Sequence, residues 1–498
     1  MKSAKIMFQG TGSSVGKSVI TAGMCRILKD IGYKVSPFKS QNMALNSFIT
    51  KDGKEMGRAQ VVQAEAAKIE PSVEMNPILL KPSSDIGAQV IIMGEVFKNM
   101  TATEYHIHKP LFKEMIQEAY RSLEELFEVM VIEGAGSPAE INLRENDLVN
   151  MGMAEMVDAP VVLIGDIDRG GVFASIYGTV MLLEEEERAR IKGFLINKFR
   201  GDVTLLNPGI KTLEDKIGIP CLGVIPYFRL HIDDEDSVSL RFSHQSKKEI
   251  VIGIIRLPHI SNFTDFTPFE MEEDVEIKYI DSPYDFHNID LLILPGSKNT
   301  IEDMIYLNHL GLSQKILEHH KRDQPIIGIC GGYQILGTEI TDAGSNESSV
   351  LKTNGLGLIH GKTSILPEKR TTQVRGTVNI EFMGERLNTI VRGYEIHMGI
   401  TQFDEAYQVF ATMDEGHQDG VINHEGNVLG TYLHGIFDND AFKSFILDIL
   451  RRKKGMQKHL KKETFEEFKE KQYQELARIM RENINVEKLL EISGLREK

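Results

Sequence analysis

The first 240 or so residues alternate short apolar runs with longer amphipathic stretches. Ala4–Gly10 (AKIMFQG), Glu128–Gly136 (EVMVIEGAG), Pro160–Asp168 (PVVLIGDID) and Ile191–Lys198 (IKGFLINK) read as buried parallel strands that end in glycine or carboxylate. Ser18–Gly32 (SVITAGMCRILKDIG) has helical spacing and closes on a glycine, as a helix C-terminus favours. This βα alternation predicts an open, mostly parallel sheet with helices on both faces, and ligands at the carboxyl ends of its strands. The polar stretch Asp233–Glu249 reads as a boundary. The pattern then restarts with Ile250–Pro258, Ile289–Ser297 and Pro325–Gly332, and Gly393–Ile400 and Val428–Phe437 suggest later strands. In the charged last 45 residues, Phe465, Phe468, Leu476 and Met480 fall near helical spacing, which predicts an amphipathic docking helix. The expectation is an α/β protein of two doubly wound domains, over 1–240 and 250–445, followed by a helical extension over 446–498.

Composition narrows the class. A chain of 498 residues is too long for one core, and 41% hydrophobic with 26% charged residues is ordinary for a soluble globular protein. No apolar stretch reaches the roughly 18 residues of a membrane span, and the N-terminal residues lack a signal-peptide pattern. A cytoplasmic protein without a membrane partner is expected. Cys25, Cys221 and Cys330 are far apart and odd in number, so no disulfide framework is implied. A formal charge of −15 argues against nucleic acid as a partner. It leaves an anionic small substrate open, because local basic groups and loop amides can override the global field.

Two segments carry chemistry. Gln9–Ser18 (QGTGSSVGKS) joins a strand to a helix, where backbone N–H groups and the helix N-terminus favour phosphate. Gly12, Ser13, Gly16, Lys17 and Ser18 are the expected nucleotide-binding residues, with Lys17 reaching the β/γ-phosphates and Ser18 a ligand of Mg²⁺. The register is a variant. The usual spacing puts a glycine where Thr11 stands, and Gly10 lies one residue earlier. Glu133 is the expected second metal ligand. Asp166 and Asp168 end the next strand, and loop capping explains them equally well.

Ile326–Gly337 (IIGICGGYQILG) places a cysteine at the end of an apolar run with two glycines behind it. A cysteine at a sharp strand-to-helix turn stands clear of the sheet edge, as in a nucleophile elbow. The following helix start favours the thiolate and leaves N–H groups for an oxyanion. Leu294–Thr300 (LPGSKNT) is a second glycine turn that can supply the other donor. Cys25 and Cys221 lie within apolar patterns and read as core. The base for Cys330 is sought among fifteen histidines. His434, at the end of a late strand and before Gly435, is the best candidate, ahead of His360 and His397.

GICGGYQILG and GTYLHGIF resemble the active-site segments of class I glutamine amidotransferases, in the variant of the cobyric acid synthase family. The N-terminal half resembles the dethiobiotin synthetase-like, P-loop ATP-binding domain of that family. Phe38–Thr50, Met75–Gly94, Glu133–Met151 and Gly165–Thr179 carry the resemblance to this one family. It implies an ATP- and Mg²⁺-dependent ligase that uses glutamine to amidate the b, d, e and g carboxylates of a corrinoid, adenosylcobyrinic acid a,c-diamide. Some of Lys39, Gln41, Asn42, Asn46 and Lys81 are then expected at the substrate's carboxylates. Many class I domains have glutamate two residues after the histidine, where this chain has Ile436. A Cys330–His434 dyad is therefore expected, and any carboxylate orienting His434 comes from elsewhere. Three rivals stay open. A ParA/MinD-like switch ATPase would carry a second signature lysine where Gly12 stands. A cobyrinic acid a,c-diamide synthase shares both domain types. A scaffold with a dead glutaminase is opposed by the presence of both Cys330 and His434.

Overall fold

Ile6, Met7, Phe8, Val129–Ile132 and Val161–Ile164 are all buried to within 1% or better. Strands covered on both faces need no alternation, which is why these runs are continuously apolar. In the computed structural model, which describes residues 3–84, 87–232, 248–457 and 463–496, they form a six-stranded sheet. Its order is Cys221–Pro226, Ile191–Phe199, Val161–Asp166, Ala4–Gly10, Val129–Glu133, Val35–Phe38, all parallel. Ala4–Gly10 lies inside the sheet, and its carboxyl end runs through the glycine-rich loop into the helix Lys17–Ile31. Gly32 closes that helix in the left-handed region, at φ 104°. Most of the boundary stretch Asp233–Glu249 lies outside the described residues.

The residues pack as two compact units that do not follow chain order. One comprises Met1–Ala44, Glu55–Glu235 and Lys469–Lys498, the other Leu45–Lys54 and Asp236–Phe468. In the first, the helix Phe465–Asn483 brings Tyr473, Leu476, Ala477 and Met480 into the core that Cys25, Ile27 and Leu28 also line. A Cβ on Gly23 would stand 2.0 Å from Met480 Sδ, so this glycine makes room for the helix.

The second unit has a mixed sheet. Val275–Ile280, Ile250–Ile255, Leu291–Leu294, Ile326–Ile329 and Val428–Thr431 are parallel neighbours in that order. Beyond them the sheet turns antiparallel through Gln418–Ile422, Gln408–Met413 and the long hairpin of Gly361–Phe382 with Glu385–Phe403. Residues 374–382 alternate buried and exposed, as a half-solvated antiparallel strand should. Ser47–Ile49, from early in the chain, is also a strand.

Candidate active site

Cys330 follows the buried strand Ile326–Ile329 and precedes the helical turn Gly331–Leu336. Its φ of 51° and ψ of −107° are rare for a side chain with a Cβ, and mark a strained turn. The two glycines have a steric cause. A Cβ on Gly331 would lie 2.7 Å from Ser297 N, and one on Gly332 2.0 Å from Leu294 O. The turn therefore packs directly on Leu294–Ser297, part of the second glycine turn expected from the sequence. Cys330 Sγ lies 3.6 Å from the carbonyl oxygen of Ile396, and only 7% of the residue is exposed.

His434 is buried and sits on a short strand, Leu433–His434, that pairs with Tyr394 and Glu395. Its ring lies 5.3 Å from that of Tyr394, stacked at 15°. Its Nδ1 is 2.7 Å from Asp265 Oδ2, and Asp265 Oδ1 accepts the Gly435 N–H at 3.0 Å. Burial opposes a charge on the imidazole, but the Asp265 charge and hydrogen bond, with a hydrogen bond to the Cys330 side chain, prevail and raise His434 to about 10. The expected dyad is thus corrected to a chain of three groups. The orienting carboxylate stands 169 residues before the histidine, not two after it. Ile436 is fully buried packing.

The rival histidines are engaged elsewhere. His360 is mostly exposed and pairs with Glu405 at 2.9 Å. His397 Nδ1 is 2.8 Å from Gly399 O, and its ring stacks 3.9 Å from Tyr432. Cys25 is fully buried, and desolvation pushes its thiol far up. Burial pushes the Cys221 thiol up to about 11. Neither has the setting of a reactive thiol.

In the first unit, Lys17 Nζ folds back over the loop and donates to Gly12 O at 2.9 Å and Gly136 O at 3.1 Å. The odd register has a geometric reason. A Cβ on Gly10 would meet Val15 at 2.6 Å and Lys17 Nζ at 3.0 Å, so glycine is needed there, while the following Thr11 is tolerated. Gly16 caps the helix at φ 99°, and a Cβ there would lie 2.2 Å from Asn197 Nδ2. Ser13 is exposed at the loop tip. Ser18 Oγ donates to Glu133 Oε1 at 2.8 Å, which brings both expected metal ligands together. Lys39 also pairs with Glu133, at 3.0 Å. Asp166 accepts the Asp168 N–H and pairs with Lys198 at 2.8 Å, and Asp168 pairs with Arg200. For Asp166 the loop-capping explanation suffices.

The family-segment residues are all engaged. Gln41 Oε1 accepts from Tyr105, Asn42 Nδ2 donates to Gln60, and Lys81 pairs with Glu55 at 2.9 Å. Asn46 Oδ1 accepts the Phe263 N–H at 3.0 Å, within the second unit.

Comparison with known proteins fits this division. Residues 6–236 match the CobQ/CobB/MinD/ParA nucleotide binding domain, and residues 251–442 match the CobB/CobQ-like glutamine amidotransferase domain. A nucleotide-binding unit and a glutamine amidotransferase unit on one chain define a ligase that contains its own glutamine amidotransferase. Cobyric acid synthase of Clostridium botulinum (strain 657 / Type Ba4) is 53% identical, over 99% of this chain and all of that one. Cobyric acid synthase of Clostridium kluyveri is 50% identical over 99% of both chains. The chain belongs to the cobyric acid synthase family. Among the described residues, no helix is long and apolar enough to cross a membrane.

Proposed function

We propose that this protein uses ATP and glutamine to amidate the b, d, e and g carboxylates of adenosylcobyrinic acid a,c-diamide, yielding adenosylcobyric acid. The observation that carries this reading is identity of about half, end to end, with relatives named cobyric acid synthase. The two sets of side chains supply the two half-reactions such a ligase needs.

A carboxylate resists nucleophiles because of its own charge. Attack of its oxygen on the γ-phosphorus of ATP, with ADP leaving, gives an acyl phosphate with a good leaving group. Lys17 and the loop amides are placed to neutralise the transferring phosphoryl group. The Ser18 hydroxyl and Glu133 carboxylate are hard oxygen donors in mutual contact, which suits Mg²⁺. Bound there, the ion supplies further charge neutralisation at the phosphates. In the other unit, the Cys330 sulfur attacks the glutamine carboxamide carbon. His434 donates the proton with which ammonia leaves, then takes one from the water that releases glutamate. Asp265 holds the imidazole in orientation, and backbone N–H groups after Cys330 receive the oxyanion. Ammonia then displaces phosphate from the acyl carbon.

The test is Cys330→Ala. It is expected to abolish synthesis from glutamine while keeping synthesis from high ammonium at raised pH. Continued use of glutamine would remove Cys330 as nucleophile. Loss of both, with circular dichroism intact, would show that the ATP half depends on Cys330. ATP hydrolysis stimulated by cobyrinic acid, and not by its a,c-diamide, would transfer the reading to an a,c-diamide synthase.

A further inference from the structure

Three supports of the Cys330–His434 pair touch one short segment that the chain supplies from its N-terminal part. Residues 45–54 leave the nucleotide-binding unit after Ala44, join the glutaminase unit, and return at Glu55. Asn46 Oδ1 accepts the Phe263 N–H at 3.0 Å, and the Ser47 N–H donates to Asn262 Oδ1 at 3.1 Å. Asn262 is in the left-handed region at φ 52° and opens the turn Phe263–Phe266 that carries Asp265. Its carbonyl accepts the Asp265 N–H at 3.0 Å. The carboxylate that orients His434 is therefore fixed by a turn that residues 46 and 47 pin at its start.

The second support is the ring stacked on His434. The Tyr394 hydroxyl donates to Ser47 O at 3.3 Å, and its ring lies 5.6 Å from that of Phe48. The third is the carbonyl beside the Cys330 sulfur. It belongs to Ile396, which shares one apolar cluster with Ile49, Tyr394 and Phe48. Asn46 itself is fully buried, and its Nδ2 has no hydrogen-bond partner among the described residues. A buried amide that satisfies only its acceptor is retained at a cost, which points to the geometry that acceptor imposes.

We propose that residues 45–54 position the glutaminase machinery, with Asn46 as the residue that sets the Asp265 turn. This rests on Cys330 and His434 as the glutamine-hydrolysing pair. Asn46 then serves the glutamine half-reaction, not the corrinoid carboxylates.

The experiment compares the full-length parent with Asn46→Ala, Tyr394→Phe and, as a control, Cys330→Ala. For Asn46→Ala, glutaminase kcat is expected to fall by about 10- to 100-fold, as for loss of an aligned polar contact at a reacting centre, with KM for glutamine within about twofold. Synthesis from ammonium should persist, and the pH profile of Cys330 alkylation should move as it does in His434→Ala. Packing lost elsewhere would not move that profile. Tyr394→Phe keeps the ring on His434 and removes the hydroxyl that donates to Ser47 O. It is expected to lower kcat by a few fold, and it covers the case in which Asn46→Ala does not fold. Unchanged kcat in either folded variant, or equal loss of glutamine- and ammonium-dependent synthesis in Asn46→Ala, overturns the proposal. If Cys330→Ala still hydrolyses glutamine, the underlying reading fails first, whatever Asn46→Ala does.

Discussion

His434 has the Asp265 carboxylate against its Nδ1 and a hydrogen bond to the Cys330 side chain. With Asp265 at 2.7 Å, the imidazole keeps its charge to about pH 10, against 6.5 for an ordinary histidine. If His434 is the base of the glutamine half-reaction, a charged imidazole is the form that donates a proton to the leaving amine. Asp265→Asn is expected to lower glutaminase kcat by about 10²- to 10⁴-fold, as wrong tautomers do in related three-group sites, and to slow alkylation of Cys330 near neutral pH. His434→Ala should slow it further. Identical alkylation profiles in parent and His434→Ala would remove the histidine from the mechanism. The same contact gives a sign for stability. A folded pKa raised from 6.5 to about 10 contributes stability that is complete below about pH 6.5 and is lost as pH rises through about 10. Urea unfolding at pH 6 and pH 10 should show this loss in the parent and a smaller one in Asp265→Asn. Equal losses would refute it. Cys330 and His434 were legible because glycine turns and strand ends announce them locally. Asp265 was not, since SNFTDF has no spacing to either residue and only the folded turn brings it 169 positions forward.

At the scale of elements, the phosphate loop shows what a register carries. Ser14 at φ 59° and Gly16 at φ 99° bend the loop, and Gly10 clears the path of Val15 and Lys17. A fixed spacing rule looks for glycine one residue later, whereas the steric demand falls on residue 10. If Lys17 neutralises the transferring phosphoryl group, Lys17→Ala should lose synthesis from glutamine and from ammonium alike, by more than about 100-fold. Near-normal ammonium-dependent synthesis would show that the loop does not hold the reacting phosphates. Ala4–Gly10 could be bounded from sequence, and Ile326–Ile329 was found inside the longer run Pro325–Gly332, because burial on both faces keeps their centres apolar. The strand Glu385–Phe403 was seen only in its middle. Its outer residues, such as Arg386, Asn388 and Arg392, are held by hydrogen bonds to Gly361–Phe382 and not by their own hydrophobicity.

At the scale of the whole molecule, the helix Phe465–Asn483 belongs to a core begun more than 400 residues earlier. Leu476, fully buried there, should cost about 2–5 kcal/mol when replaced by alanine. Chemical denaturation measures it, and a cost under about 0.5 kcal/mol, the range of surface changes, would show the helix is not part of that core. The periodicity of Leu476 and Met480 told that this helix docks. It could not tell on what, because an apolar stripe specifies a partner surface only by shape, and Gly23 reads as an ordinary helical glycine until Met480 is seen against it.

The chain visits its units out of order, and this limits how such an enzyme can be divided. Severing it between residues 235 and 236 would not release two independent proteins. The front piece would carry off 45–54, which the rear piece needs, and the rear piece would keep 469–498, which complete the front. Two separately encoded halves would have to exchange strands of chain during assembly, each finishing the other. Encoding both as one polypeptide guarantees that exchange at unit stoichiometry.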